Sequence, residues 1–201
     1  GSYHPVPYNT FVIYEPKERY ISASDFRDRV VHHAICNLLE PLLDRRMIFD
    51  SYACRIGKGT HMAVTRAQQF ARRFPYFLKC DIRKYFESIE HEVLKQILTR
   101  KLKDQALLNL LSLIIDHAVP EYEQGKGLPI GALTSQLFAN LYLSELDHFL
   151  KDRLGVQGYL RYMDDLLLFG HTKSALREWL AFIRQCVTEQ LLLELKEEAL
   201  V

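Results

Sequence analysis

The stretch YLRYMDDLLLFG, residues 159–170, constrains the fold most, because it places two adjacent aspartates inside an otherwise apolar run. A buried unpaired carboxylate is costly, and two neighbouring carboxylates also repel each other. Aspartate is common in tight turns, so this stretch is interpreted as a β-hairpin with Asp164 and Asp165 at its tip. The apolar arms on either side would then be buried strands that hold the tip rigid.

Asp81 is a third aspartate that ends an apolar run, YFLKCDI over residues 76–82. If this strand and the hairpin are neighbours in one sheet, three carboxylates converge at one end of that sheet. Like charges at that range oppose folding, and a bound divalent cation removes the repulsion. Mg²⁺ prefers oxygen ligands and is typically held by one or two carboxylates together with substrate phosphates. The sequence therefore predicts a magnesium site, which in a two-ion form suits an in-line phosphoryl displacement.

The other patterns along the chain predict an α+β fold, with a small antiparallel sheet packed against helices. Apolar residues at helical spacing predict helices over 24–43, 60–73, 90–98, 104–119, 135–154 and 173–190. Short β-rich runs predict a hairpin over 11–22 and strands over 76–82, 159–170 and 191–195. Ser135 follows a glycine loop at 125–131 and is a good candidate for a helix N-cap.

Composition and charge limit the classes of protein that this chain can belong to. It has 201 residues, of which 48% are hydrophobic and 25% are charged, as in soluble globular proteins. No apolar run approaches the ~20 residues of a membrane span, and the four widely spaced cysteines predict reduced thiols and a cytoplasmic location. Residues 55–84 hold eight basic residues and one acid, which fits either a polyanion partner or a solvated helix face.

Three motifs in fixed order resemble those of bacterial retroelement reverse transcriptases of the group II intron type. KCDIRKYFESIEH at 79–91 resembles their first catalytic motif, GLPIGALTSQLFANLYLSELD at 127–147 the second, and YMDD at 162–165 the third. RDRVVHHAICNLLEPLL and SYACRIGKGTHMA resemble segments of their fingers domain. The resemblance runs from about residue 11 to residue 195, and it is the ordered set, not any single motif, that identifies the family.

The resemblance implies a right-hand polymerase fold with fingers over 1–75 and palm over 76–201. The fingers would include the hairpin at about 11–22, and residues 92–125 would contribute helices to the palm. The helical thumb has no counterpart in the sequence. We therefore expect a fingers–palm fragment with weak or absent activity on its own.

The implied activity is that of an RNA-directed DNA polymerase, which adds nucleotides from dNTPs to a DNA or RNA primer on an RNA template. The cofactor would be two Mg²⁺ ions, with Mn²⁺ as a substitute. The resemblance also allows an accessory protein as a partner. Asp81 and Asp164 are implied as the metal ligands, with Asp165 as a weaker partner. The backbone at Ile82 would also face the metal, and Arg83 would face the triphosphate.

Several residues are implied in nucleotide binding. Phe86, five residues after Asp81, matches the aromatic residue that reads the sugar and excludes a 2′-hydroxyl. Arg19 aligns with the fingers arginine that grips the triphosphate, since a guanidinium suits phosphate. Lys17 is either a second phosphate ligand or an exposed turn lysine. Gly131 would let the backbone come close to the base pair.

Four further residues are implied in contacts with template or primer. Arg55 and Lys58 would either meet the template backbone or stabilise the fingers. Tyr162 and Met163 would lie against the primer end.

Two positions depart from the pattern of most reverse transcriptases. Ile130 stands where most members have a glutamine, and Gln136 stands where most have a proline. An isoleucine cannot make the polar contacts of an amide, so we expect weaker base discrimination. This pattern resembles the diversity-generating retroelement branch, whose enzymes copy adenines with errors; other bacterial branches stay open.

Two other functions are compatible with these motifs. An RNA-dependent RNA polymerase shares the palm and its metal chemistry, but Phe86 argues against it because ribonucleotide users need a small or polar residue there. A non-catalytic reverse-transcriptase-like module that binds nucleic acid is the second alternative. The presence of all three aspartates argues against such a loss of activity.

Overall fold

A computed structural model of the protein describes residues 3–14, 18–117 and 119–196, together with the backbone of 199–200. The strands are β1 (Asn9–Tyr14), β2 (Glu18–Ala23), β3 (Tyr76–Asp81), β4 (Gly158–Tyr162), β5 (Asp165–Gly170) and β6 (Ala199–Leu200). The helices are α1 (Phe26–Asp44), α2 (Thr60–Arg73), α3 (Tyr85–Ser88), α4 (His91–Lys101), α5 (Gln105–Ile115), α6 (Leu133–His148) and α7 (Lys173–Gln185). The predicted α+β class is confirmed.

The chain forms two compact units, and each unit is built from two chain segments. The first unit comprises Gly1–Leu42 and Phe86–Tyr142, and the second comprises Leu43–Tyr85 and Leu143–Val201. The predicted boundary between fingers and palm near residue 75 stays a prediction.

The second unit is organised around a four-stranded antiparallel sheet with the strand order β4-β5-β3-β6. Strand β3 pairs with β5 in a register that sets Asp81 opposite Asp165. Strand β4 pairs with β5 so that Tyr162 is also opposite Asp165. The prediction that the strand at 76–82 and the hairpin at 159–170 are neighbours in one sheet is confirmed.

Both faces of this sheet carry apolar side chains. This explains why the sequence of β5 is a continuous apolar run, without the alternation of apolar and polar residues that is typical of a half-exposed strand. On one face, Leu78, Cys80 and Leu166 are fully buried. On the other face, Leu160 and Phe169 join a cluster with side chains from α2 and its flanks. That cluster consists of Tyr52, Ala63, Phe70, Phe74, Leu160 and Phe169. The sheet is therefore a rigid base for the loop between β4 and β5.

The first unit contains the β1–β2 hairpin, in which Arg19 is opposite Ile13. It also contains the glycine loop, residues 125–131, which is fixed by backbone hydrogen bonds. The amide of Gly127 donates to the carbonyl of Ile89 at 2.8 Å, and the amide of Ser22 in β2 donates to the carbonyl of Ile130 at 2.8 Å. The hairpin and the glycine loop are therefore hydrogen-bonded to each other.

Two predicted element boundaries are wrong. Ser135 is not an N-cap, because α6 begins two residues earlier, at Leu133, and Ser135 is buried inside it. The predicted strand at 191–195 does not form; of these residues, Leu195 makes an isolated bridge to Ile82. The reason is a π-helical turn, Cys186–Gln190, after α7: the amide of Leu193 donates back to the carbonyl of Val187 at 2.9 Å, so the run bonds to the segment at the end of β3 from Glu194 onward.

The cysteines and the helices bear on the predicted redox state and on the predicted lack of a membrane span. All four cysteines are free thiols, as their spacing predicted. Among the residues that the structure describes, no helix combines the length and the hydrophobicity needed to cross a membrane. The cytoplasmic location stays a prediction.

His148 at the end of α6 predicts a pH dependence of stability. Its Nδ1 lies 2.7 Å from Asp152 Oδ2 and its Nε2 lies 2.7 Å from the Arg46 carbonyl, so both ring nitrogens face acceptors. Burial lowers the pKa of His148, but the bonds to Asp152 and Arg46 outweigh it and the pKa is raised. A raised pKa stabilises the fold below the unfolded value of about 6.5 and ceases to do so as the pH rises through the folded value.

We therefore expect His148→Gln to lower the free energy of unfolding most at pH 6, by less than about 1 kcal/mol, since the pair is partly exposed. The difference from wild type should shrink towards pH 9. Urea denaturation at several pH values measures this. A difference that grows with pH would contradict the assignment.

Candidate active site

The loop between β4 and β5 consists of two residues, Met163 and Asp164, between the paired residues Tyr162 and Asp165. Met163 has a φ of +53°, in the left-handed backbone region that residues other than glycine rarely adopt. A conformation of this kind costs on the order of 1 kcal/mol and persists only where surrounding contacts enforce it. The loop that presents Asp164 is therefore a strained tip on a buried sheet.

Asp81 ends β3 with its two carboxylate oxygens in different surroundings. Oδ2 accepts a hydrogen bond from Lys196 Nζ at 2.5 Å. Oδ1 is buried and has no hydrogen-bond partner among the residues that the structure describes. Because buried polar atoms are nearly always paired, an unpaired carboxylate oxygen at a strand end indicates a position for a ligand.

Asp164 has a raised pKa, and the causes identify its neighbours. Burial contributes most, and the negative charges of Asp81 and Asp165 add to it. A hydrogen bond from its own backbone amide and the charge of Lys196 act in the opposite direction. The Asp164 carboxylate is thus held close to like charges in a partly buried position, which favours binding of a cation.

Asp165, like Asp81, forms an ion pair with a lysine. Its Oδ1 lies 2.9 Å from Nζ of Lys79, on the neighbouring strand β3. The hydrogen bond with Asp165 raises the pKa of Lys79. The lysine neutralises Asp165 across the sheet, so that this carboxylate has less charge to offer to a cation than Asp164.

The donor set fits an oxygen-preferring divalent cation. Within the described part of the chain, no group of three or more histidine, cysteine, aspartate or glutamate side chains is arranged to hold a metal. Mg²⁺, however, needs only one or two protein carboxylates, since water and phosphate supply the rest. Asp81, with its unpaired buried Oδ1, and Asp164, with its raised pKa, are the two carboxylates that fit.

Ile82 and Arg83 follow Asp81 and lie beside the segment around Glu194. Ile82 is fully buried. The amide of Arg83 donates to the Glu194 carbonyl at 2.8 Å, and Arg83 Nη1 lies 3.1 Å from Glu194 Oε1. The predicted roles of Ile82 towards metal and of Arg83 towards triphosphate stay predictions.

Arg55 and Lys58 make contacts inside the second unit. Arg55 bonds to the Asp44 carboxylate at 2.5 Å and to the Ile48 carbonyl at 2.7 Å. Lys58 donates to the Phe49 carbonyl at 2.8 Å and lies 3.4 Å from the centroid of the Phe49 ring. These contacts support the alternative that both residues stabilise the fold, and their role towards template stays a prediction.

Tyr162, beside the loop, is held from α2: its hydroxyl lies 2.9 Å from Thr60 Oγ1. Met163 is in the loop itself. That Tyr162 and Met163 lie against the primer end stays a prediction.

The other predicted nucleotide-binding residues belong to the first unit. Arg19 and Gln136 are exposed, and Phe86 and Ile130 are half-buried. Phe86 contacts the glycine loop, because its carbonyl accepts from the Leu128 amide at 2.7 Å. Lys17 lies outside the described residues. The nucleotide-binding roles of these residues stay predictions.

Gly131 has a structural reason to be glycine. Its φ is +118°, and a Cβ at this position would lie 3.1 Å from Ile21 Cγ2 and 3.4 Å from the Ser22 carbonyl oxygen. The glycine lets the loop approach β2, where Ser22 bonds to the Ile130 carbonyl. Its predicted approach to a base pair stays a prediction.

Sequence reasoning missed a buried network beneath the loop, formed by Arg161, Asp147 and Tyr159. The guanidinium of Arg161 and the carboxylate of Asp147 are fully buried and lie 2.8 Å apart. The Tyr159 hydroxyl donates to Asp147 at 2.6 Å, and Arg161 Nη1 donates to the Met163 carbonyl at 2.8 Å. A signal was present, since Arg161 and Asp147 are charged residues inside apolar patterns.

Comparison with known proteins identifies the family of the chain. Residues 14–198 match the family model of reverse transcriptase (RNA-dependent DNA polymerase). The group II intron-encoded protein LtrA of Lactococcus lactis subsp. cremoris is 26% identical over 156 residues, which are 74% of this chain and 26% of LtrA. The putative COX1/OXI3 intron 2 protein of Saccharomyces cerevisiae is 23% identical over 140 residues, which are 67% of this chain and 16% of that protein.

The fold is also found in a solved structure of telomerase from Candida tropicalis in complex with a TWJ fragment of telomeric RNA. The TM-score is 0.72 at 13% identity, with 99% of this chain and 42% of the telomerase chain covered. This likeness concerns the fold, and confirms the predicted right-hand polymerase architecture. The chain spans about a quarter or less of the two relatives above. The sheet of this chain brings Asp81 beside the YMDD loop. Because the family model covers nearly the whole chain, the chain belongs to the reverse transcriptase (RNA-dependent DNA polymerase) family.

Proposed function

We propose that this chain carries the nucleotidyl-transfer site of an RNA-directed DNA polymerase, which adds nucleotides from dNTPs to a DNA or RNA primer on an RNA template. The observation that carries the proposal is the pairing of β3 with β5, which brings Asp81 to the loop that presents Asp164. Family membership over residues 14–198 supports it.

Asp81 and Asp164 would hold Mg²⁺, or Mn²⁺ as a substitute, and the backbone of Ile82, which follows Asp81 in the chain, would also face the metal. Two such ions, when bound, supply charge stabilisation at the attacking and leaving oxygens of the displacement. Lys196 occupies Asp81 Oδ2 and would have to share or leave that oxygen. Asp165, neutralised by Lys79, would have the smaller role.

The nucleotide-binding residues are proposed from the resemblance to the family. Arg19, Lys17 and Arg83 would neutralise the triphosphate, because cations there stabilise the leaving pyrophosphate. Phe86 would lie under the deoxyribose. Tyr162 and Met163 would contact the primer end, and Arg55 and Lys58 would contribute to template binding through the segment that they stabilise.

Phe86→Ala tests both the nucleotide site and the distinction from an RNA-dependent RNA polymerase. Removing the ring should admit a 2′-hydroxyl, and the preference for dNTP over NTP should fall by about 10- to 100-fold. Single-nucleotide addition on an RNA template with each substrate measures this preference. Phe86→Tyr keeps the ring and is the matched control.

A wild-type chain that uses NTP as well as dNTP would instead favour the RNA polymerase. Mn²⁺ binding without any nucleotide addition would favour the non-catalytic module.

We further propose that the enzyme belongs to the error-prone, diversity-generating branch. Ile130 offers no side-chain amide, and Gln136 is exposed where most members have proline. Less polar contact around the base pair gives weaker base discrimination. Sequencing of the cDNA measures it, and errors that are no more frequent at template adenines than elsewhere would remove the proposal. The partners expected for such an enzyme are an RNA template and an accessory protein.

A further inference from the structure

The strained loop that presents Asp164 is held from below by the buried Arg161. Arg161 Nη1 donates a hydrogen bond to the Met163 carbonyl at 2.8 Å. That carbonyl belongs to the peptide unit that joins Met163 to Asp164. A peptide unit is planar, so fixing its oxygen also fixes the direction of the Asp164 amide.

The Asp164 amide lies in the same peptide plane, and its interaction with the Asp164 carboxylate counteracts the rise in the pKa of that group. In a trans peptide the C=O and N–H bonds point in opposite directions, and none of the described peptide bonds is cis. The peptide plane that Arg161 holds on one side therefore directs the Asp164 backbone, from which the carboxylate extends, on the other. This arrangement also explains how Met163 is kept at a φ of +53°.

Arg161 approaches the loop from the face of the sheet opposite to Asp81 and Asp165. Side chains alternate along a strand, and the register pairs Arg161 with Leu166, next to Asp165, whereas Asp81 is opposite Asp165. The guanidinium therefore lies on the face of the sheet away from the Asp81 and Asp165 carboxylates.

Arg161 is itself fixed by Asp147, near the end of α6. Its Nε donates to Asp147 Oδ1 at 2.8 Å and its Nη2 to Asp147 Oδ2 at 2.8 Å, a two-pronged geometry that a lysine cannot reproduce. Its backbone is also fixed, since its amide donates to the Asp50 carbonyl and its carbonyl accepts from the Tyr52 amide.

We propose that Arg161, oriented by Asp147, is a positioning residue that sets the place of the Asp164 carboxylate through the Met163–Asp164 peptide. Its relevance to catalysis rests on the proposed function. That Arg161 and Asp147 fix the conformation of the loop can be tested without measuring enzyme activity.

The chain contains three methionines, Met47, Met62 and Met163, so methyl labelling of methionine gives one NMR probe in the loop and two outside it. The test variant replaces the network with apolar side chains and adds no methionine: Asp147→Leu, Tyr159→Phe and Arg161→Leu together. Removing the charges of Asp147 and Arg161 together leaves neither of them buried without the other, so the variant is expected to fold. Arg161→Lys is the second variant, which keeps the charge but loses the fork.

In both variants we expect the Met163 methyl signal to move towards the value of an unstructured methionine, while the Met47 signal stays in place. The rate constant for single-nucleotide addition should fall by about 100-fold, with a smaller change in KM for dNTP, because a displaced carboxylate impairs the reaction more than binding. Lys151→Leu, which removes an ion pair with Asp50 in the same unit, is the control and should leave the Met163 signal unchanged.

A Met163 signal that stays at its wild-type position in the folded triple variant would overturn the proposal. An unchanged addition rate in that variant would overturn the catalytic role. If the wild type itself adds no nucleotide, the proposed function fails, and the Met163 signal still decides whether Arg161 positions the loop.

Discussion

Asp164→Asn is expected to lower the rate constant for nucleotide addition by about a thousandfold, whereas Asp165→Asn should lower it by about tenfold or less. Asp164 lies at the loop tip with a pKa raised by burial and by its neighbours, while Asp165 is paired with Lys79. Losing a ligand carboxylate removes several kcal/mol of charge stabilisation, and about 4 kcal/mol corresponds to a thousandfold.

The measurement is single-turnover addition of one nucleotide to a self-priming RNA–DNA hairpin with the enzyme in excess. This format does not depend on processive synthesis. Asp165→Asn is the matched control, since it removes the adjacent carboxylate at the start of β5. Equal losses in the two variants would contradict the proposed division of roles between Asp164 and Asp165.

Asp147→Ala is expected to destabilise the second unit by about 3–5 kcal/mol, because it leaves the guanidinium of Arg161 buried without its counter-charge. Both side chains are fully buried, and the charge of Asp147 raises the pKa of Arg161, although burial alone lowers it. The alanine also removes the acceptor of the Tyr159 hydroxyl. For a chain of this length the melting temperature should fall by roughly 6–20 °C.

Asp152→Ala is the matched control for this stability prediction. Asp152 lies five residues further along the chain and pairs with His148, but its side chain is 66% exposed. Exposed pairs of this kind contribute at most about 1 kcal/mol. Thermal and urea denaturation of both variants measure the difference, and a loss for Asp147→Ala as small as that for Asp152→Ala would show that the buried pair is not required for stability.

The placement of the three carboxylates could be predicted from the sequence because it depends on local signals. Asp81 and Asp165 each flank an apolar run of strand length, and two adjacent aspartates in such a run fit a turn. Antiparallel pairing of the two strands then brings these ends together, as the register of Asp81 with Asp165 confirms.

Arg161 and Asp147 stand out in the sequence as charged residues inside apolar patterns, but the partners of these residues and of the lysines could not be predicted, because the contacts join separate elements of the fold. Lys196 reaches Asp81 over a separation of 115 residues, and Asp147 meets Arg161 across the turn between α6 and β4. The failure of the strand at 191–195 has a related cause. Its apolar residues fit a strand, but the π-helical turn before them closes onto Leu191 and Leu193 and prevents pairing over the whole run.

Gly131 illustrates a residue whose family role and local role differ. The resemblance assigns it to the approach of a base pair, whereas its positive φ and the proximity of Ile21 and Ser22 already require a glycine. Substitution at Gly131 would therefore disturb the contact between the glycine loop and β2, in addition to any effect on nucleotide selection.

The central claim, that Asp81 and Asp164 form the cation site of this polymerase, is tested most directly by Mn²⁺ binding, followed by electron paramagnetic resonance. We predict that wild type binds Mn²⁺, that Asp81→Asn and Asp164→Asn each weaken this binding by at least about tenfold, and that Asp165→Asn retains most of it. Mn²⁺ binding that is the same in wild type and Asp164→Asn would contradict the claim.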